Sequence, residues 1–162
     1  MFSSRLFKRA GSGYWRGSLI LAVSLAGCIE SVDHDPASAR KKAEEFAQVV
    51  FVKQDIETGY ALLAEGTRRY VSRDQFKAVV LKMHPRGFPK TVTALEYEPM
   101  PGEKAIYVFL TGDHSRQPFY YRLTMEGTAS TGYKVLRLDR ANQPYSSSDE
   151  TKRFSDKKPH LQ

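Results

Sequence analysis

The chain has one cysteine, Cys28, in 162 residues. A single thiol excludes an internal disulfide and a cysteine-rich metal site. No apolar run approaches the roughly 20 residues of a membrane-spanning helix. Metal-ligand spacing, a nucleophile elbow and a phosphate-binding glycine loop are all missing. The closely spaced glycines fall in the N-terminal segment (Gly11, Gly13) and in a hairpin (Gly127, Gly132). No catalytic residue, metal or cofactor is therefore expected. Acidic residues are absent ahead of Cys28, where four of the 25 basic residues lie. From Cys28 onward 21 basic residues face 18 acidic ones, a net charge of +3. The +7 and the pI of 9.5 of the whole chain thus overstate its basicity, and nucleic acid is not an expected partner.

What the N-terminus does contain is ordered. Arg5, Lys8, Arg9 and Arg16 precede an apolar run over residues 19–26, and small residues follow. This is the layout of a secretory signal. The run closes on Leu25-Ala26-Gly27-Cys28, which resembles a bacterial lipobox. The resemblance implies cleavage before Cys28 and acylation of its thiol, with residues 1–27 as signal peptide. Acyl chains are then the membrane attachment, and the location is the cell envelope. Ile29 follows where Asp would favour inner-membrane retention, so the outer membrane facing the periplasm is expected. The remaining 135 residues suit one domain with its own core.

Residues 28–34 read as a tether. Asp35-Pro36 starts a helix, with Asp as N-cap and Pro at the first helical position. Ala39, Ala43, Phe46, Ala47, Val50 and Phe51 mark its buried face. A second, shorter helix over 55–64 buries Ile56, Tyr60 and Leu63, is weakened by Gly59, and is broken by Glu65-Gly66-Thr67. A third starts at Ser72, whose cap pairs with Gln75 in a capping box; Val71 staples onto Phe76. Its stripe is Phe76, Val79, Val80 and Met83, and His84-Pro85-Arg86-Gly87 ends it. Four runs of period two follow, at 91–98, 105–111, 119–126 and 133–140, joined by turn-forming residues. From Asn142 the chain is polar and expected to be disordered through residue 162. The expected fold is α+β over 35–141: three N-terminal helices on one face of a curved four-stranded antiparallel meander.

Tyr60-Ala61-Leu62-Leu63, then 71–76, then Pro101-Gly102, then Gly132-Tyr133-Lys134-Val135 resemble small lipoproteins of the nuclear-transport-factor-like (cystatin-like) cone fold. The likeness spans about residues 36–141. It implies a cone with a space between helices and sheet, either open or filled by Phe46, Val50, Tyr60, Phe76 and Met83. Family members include ketosteroid isomerases and dehydratases, but fold alone assigns no activity.

Histidines offer little chemistry. His34 lies in the tether and His160 in the tail, both expected to be solvated. His84 is expected to cap a helix end and His114 to sit in a turn. Glu96, Glu98, Glu126 and Asp139 are expected to point away from the helices. Aligning apolar faces opposes Leu95 to Val108, Tyr97 to Ile106, Val108 to Tyr121, Leu110 to Phe119, Tyr121 to Leu138, and Leu123 to Leu136. The outer face then carries a row Glu96, Tyr107, Arg122, Arg137 beside Ala94, Phe109, Tyr120, Asp139. Arg122 opposite Arg137 should repel, with Asp139 on a diagonal to relieve it, and Arg122 should meet the Tyr107 ring. Glu96, Tyr107, Phe109, Tyr120, Arg122 and Arg137 form a candidate interaction surface, for a second copy of the chain or an envelope protein. The expected function is a membrane-anchored binding or protein-interaction module. The alternatives are an accessory subunit of an envelope assembly and, less favoured, a cone-fold lyase or isomerase.

Overall fold

The computed structural model describes residues 32–113 and 118–154. The lipobox Leu25, Ala26, Gly27 and Cys28, and also His114 and His160, lie outside the described residues.

The fold is α+β, with helices packed against one face of an open antiparallel sheet. Helix α1 (Pro36–Ala47) starts where Asp35 accepts the Ala37 and Ser38 amides. It runs into one π turn, Gln48–Val52. The wider turn lets the neighbours Val50 and Phe51 both reach the interior. Helix α2 (Ile56–Ala61) crosses it at Gly59. A Cβ there would lie 2.2 Å from Val50 Cγ2, so Gly59 permits the crossing rather than merely weakening the helix.

Among the described residues four α-helices form instead of three. The second expected helix stops early because Leu62 and Ala64 turn to bond Val135, through the Leu62 carbonyl and the Ala64 amide. Glu65-Gly66-Thr67, expected as a break, opens helix α3 (Glu65–Tyr70), with Glu65 paired to Arg69 one turn on. Helix α4 (Arg73–Met83) has its full capping box: Ser72 Oγ accepts the Gln75 amide, and Gln75 Oε1 accepts the Ser72 amide. Phe76 and Val80 are buried, whereas Val79, expected beside them, is 45% exposed.

The sheet has five strands in the order β4-β3-β2-β1-β5: β1 (Thr91–Pro99), β2 (Ala105–Asp113), β3 (Phe119–Thr128), β4 (Gly132–Ala141) and β5 (Lys152–Arg153). The expected pairing is corrected by two residues between β2 and β3 and along 96–99 and 137–141, and by one residue along 91–94 and 132–135. Tyr97 faces Val108, Val108 faces Leu123, Leu110 faces Tyr121, and Leu123 faces Leu138. A two-residue slip keeps every side chain on its face, so alternation alone cannot detect it. Two bulges complete the correction, at Leu95 and at Leu136. Both residues were expected under the helices; both are partly exposed instead, and Ala94, expected on the outer face, is buried opposite Leu110 because the bulge at Leu95 reverses the alternation. Each bulge turns a carbonyl to the sheet's rim. Leu95 O accepts the Phe154 amide, and Leu136 O accepts the Thr67 hydroxyl. The two edge strands are thereby covered, one by β5 and one by α3.

Of the tail expected to be disordered, residues 142–154 are described, and they are ordered. Residues 142–151 cross the outer face of the sheet as a strap and deliver β5 to the β1 edge. Phe154 then turns to the helix side, 4.8 Å from the Tyr97 ring and beneath Arg40. Polar composition hid this because one aromatic at each end, Tyr145 and Phe154, does the anchoring. His34, expected to be solvated, is also held. Its Nε2 donates to the Glu103 carbonyl at 3.1 Å, and its Nδ1 lies 3.3 Å from the Tyr133 hydroxyl.

The space between helices and sheet is filled. Phe46, Val50, Phe51, Tyr121, Leu123 and Met125 are wholly buried, and Phe76 nearly so.

Candidate functional site

With the interior closed, the outer face of the sheet is the place to look. Odd residues of β2 and even residues of β3 point there, opposite Val108 and Leu123 in the core. The corrected register sets one row as Arg153, Glu96, Phe109, Arg122, Asp139. The next is Glu98, Tyr107, Thr124, Arg137. All six candidate surface residues share this face, but in a different order. Arg122 does not oppose Arg137; it opposes Asp139.

That exchange changes the electrostatics. Asp139 takes Arg122 on one oxygen at 3.0 Å and Arg137 on the other at 3.0 Å. The expected repulsion is replaced by a carboxylate bridging two guanidinium groups. Arg122 also reaches the Tyr107 ring at 5.0 Å, the contact expected from the sequence. On its other side lies Tyr145 of the strap, at 5.2 Å. A guanidinium between two aromatic rings is partly desolvated, which strengthens the attraction. Its Nε is buried and has no partner. Burial, and then the charge of Asp139, push the Tyr145 phenol up.

Between strap and sheet lies a cavity of about 290 Å³. Phe109 and Tyr120 form its floor, with Pro144 and Tyr145 on the strap side. Ser146, Ser147 and the Glu96–Arg153 ion pair, at 3.1 Å, add polar groups. Thr151 donates to Glu98 at 2.9 Å and pins the far end of the strap. Aromatic walls with a few placed hydroxyls and one ion pair suit a small molecule that has a flat apolar face and a polar edge. Pro144, Tyr145, Thr151 and Arg153 escaped the sequence reading. The available signal was Pro144-Tyr145 in a run otherwise polar.

One further pair of titratable groups is buried. His84 was expected to cap the end of α4 as an imidazolium. Instead it is 5% exposed, ringed by Phe51, Phe88, Phe119 and Tyr121. Nδ1–H donates to the Val80 carbonyl, so Nε2 accepts from the Tyr121 hydroxyl, both at 2.8 Å. Burial lowers the His84 pKa, and the charge of Arg140 lowers it further. Burial likewise raises the Tyr121 phenol. A neutral imidazole closed in by rings joins α4 to the sheet.

Among the described residues no cluster of three or more His, Cys, Asp or Glu is placed to hold a metal. Among them, too, no helix is long and apolar enough to cross a membrane. The molecule is thus an α+β domain with a closed interior and a strapped outer face. No protein-family model, curated protein or solved structure matches the chain.

Proposed function

We propose that this protein is a lipid-anchored module of the bacterial envelope that binds a small ligand on the outer face of its sheet, under the strap. The observation that carries the binding half is the cavity of about 290 Å³ between Phe109, Tyr120 and Tyr145. The anchoring half rests on Leu25-Ala26-Gly27-Cys28 after a basic and then an apolar segment. Outer-membrane placement and the cone-like likeness belong to the same proposal. The one-sided packing of helices speaks for the likeness.

Two experiments test the halves separately. Fractionation of Cys28→Ala reports on the anchor; if the variant stays with the membrane, the anchor is wrong. A titration with small aromatic and saccharide fragments, followed by NMR of the Phe and Tyr rings, reports on the site. Binding should shift Phe109, Tyr120 and Tyr145 and leave Phe46 and Phe51 unmoved, and Tyr145→Ala should abolish it. Binding that is unchanged in Tyr145→Ala, or shifts confined to other rings, counts against the site.

A second reading is an accessory subunit of an envelope assembly. The exposed Tyr70, Val79 and Leu81 favour it, since a closed core with apolar side chains outside suits contact with another surface.

A further inference from the structure

Charge is unevenly shared along the chain. Residues 64–90 hold seven basic and two acidic side chains, a net +5, so the rest of residues 28–162 carries −2. The cationic excess therefore sits on α3, α4 and the loop that leads to β1. Arg69 and Arg73 are paired with Glu65 and Glu57. Arg68, Lys77, Lys82 and Arg86 are exposed and make no ion pair among the described residues.

Exposed apolar side chains gather in the same region. Tyr70, at the end of α3, is 86% exposed, and Leu81 and Val79 about half. Beside Val79 an apolar groove of about 180 Å³ runs between α4 and β4, over Val71 and Leu136, while Leu81, two residues on, lies on the other flank of α4. Unpaired cations interspersed with apolar side chains make a surface suited to a lipid interface, where tyrosine is favoured at headgroup level.

Position agrees with chemistry. Just before α3, the Ala64 amide donates to the Val135 carbonyl and the Leu62 carbonyl accepts the Val135 amide. Two residues away, the Tyr133 hydroxyl accepts the Asp35 amide, where the segment from Cys28 joins the domain. That segment of seven residues spans at most roughly 25 Å. The start of the basic face is thus close to the point of attachment.

We propose that the α3–α4 face lies against an anionic bilayer surface, with Arg68, Lys77 and Lys82 at lipid phosphates and Tyr70 among the headgroups. Anionic lipid is favoured over an acidic protein segment because the cations spread over two helices and a loop instead of lining the groove. Acyl chains at Cys28 would bring the domain to the bilayer, and a basic surface is a common further contact with it. Which membrane is touched rests on the lipobox reading; binding to anionic lipid does not.

The test uses residues 29–162, which lack Cys28 and hence any acyl chain. The buried core lies between Ala39 and Val135, so this chain retains it. Co-sedimentation would be measured with vesicles of about 30% phosphatidylglycerol in phosphatidylcholine and with pure phosphatidylcholine. Binding is expected to the anionic vesicles alone and should be lost between about 50 and 300 mM salt. Arg68→Glu should weaken it at least about fivefold, and Tyr70→Ser less. Lys152→Glu makes the same charge change on β5, at the opposite edge, and should weaken it less than about twofold. Equal affinity for neutral vesicles, or equal loss in Arg68→Glu and Lys152→Glu, overturns the proposal. So does a chain that ignores anionic vesicles while a photo-crosslinker at position 70 captures an envelope protein. Fractionation of Cys28→Ala in cells reports on the anchor alone, so the two readings fail separately.

Discussion

The two faces of the sheet are built by different means. The inner face is closed by long-range packing: Phe51 stacks on Tyr121 at 4.5 Å, and His84 locks α4 to the same tyrosine. The outer face is closed by a single strap, held by Tyr145 over Arg122, one Thr151–Glu98 hydrogen bond and a two-residue strand. Burial of apolar side chains stabilises the first by several kcal/mol per large residue on truncation. Exposed cation–π contacts and single hydrogen bonds stabilise the second by about 1 kcal/mol each. The inner face is thus the scaffold. The cover of the outer face should therefore open without unfolding the domain.

Substitutions on each side sharpen this contrast. Phe51→Ala removes a wholly buried ring and should cost about 3–5 kcal/mol by denaturant unfolding. Gly59→Ala forces a methyl group onto Val50 and should cost about 1–3 kcal/mol by the same measurement. Ser72→Ala loses one cap and should cost about 1 kcal/mol. Tyr145→Ser should cost only about 0.5–1 kcal/mol in thermal melts. If Tyr145→Ser is as damaging as Phe51→Ala, the strap is part of the scaffold and the contrast fails.

His84 makes stability fall on acidification. The pKa of His84 is lowered from 6.5 in the folded protein. Between that lowered value and 6.5 the unfolded chain binds more protons than the native one, so stability falls as pH falls through this window. Above it, the buried neutral imidazole contributes in full. Urea midpoints measured between pH 7.5 and 5 should decline, and His84→Gln should remove that component of the slope. An unchanged slope in the variant would mean that His84 is charged where it sits.

The sequence reading succeeded where periodicity and burial coincide. Ala39, Ala43, Phe46, Ala47, Val50 and Phe51 are all buried as their spacing indicates, and the Ser72–Gln75 capping box is complete. It failed where geometry departs from period. Alternation fixes which side of a strand faces the core, yet says nothing about a slip of two residues, and it misplaces Leu95 and Leu136 because each is the extra residue of a bulge. The six candidate surface residues were found as a set, since face survives such a slip, whereas Ala94 was misplaced because it lies beyond the bulge. Their pairing was not, and Asp139 took the place beside Arg122 that had been given to Arg137. Tyr145 and Arg153 were missed because contacts made by a few residues in a polar tail leave no periodic trace.

Hydrogen exchange by NMR tests the contrast most directly. Amides of β2 and β3 should exchange only through global unfolding, whereas the Phe154 amide bonded to Leu95 should exchange through a local opening of much lower free energy. Exchange of the Phe154 amide at the same free energy as the core strands would contradict the account, because strap and scaffold would then open as one unit.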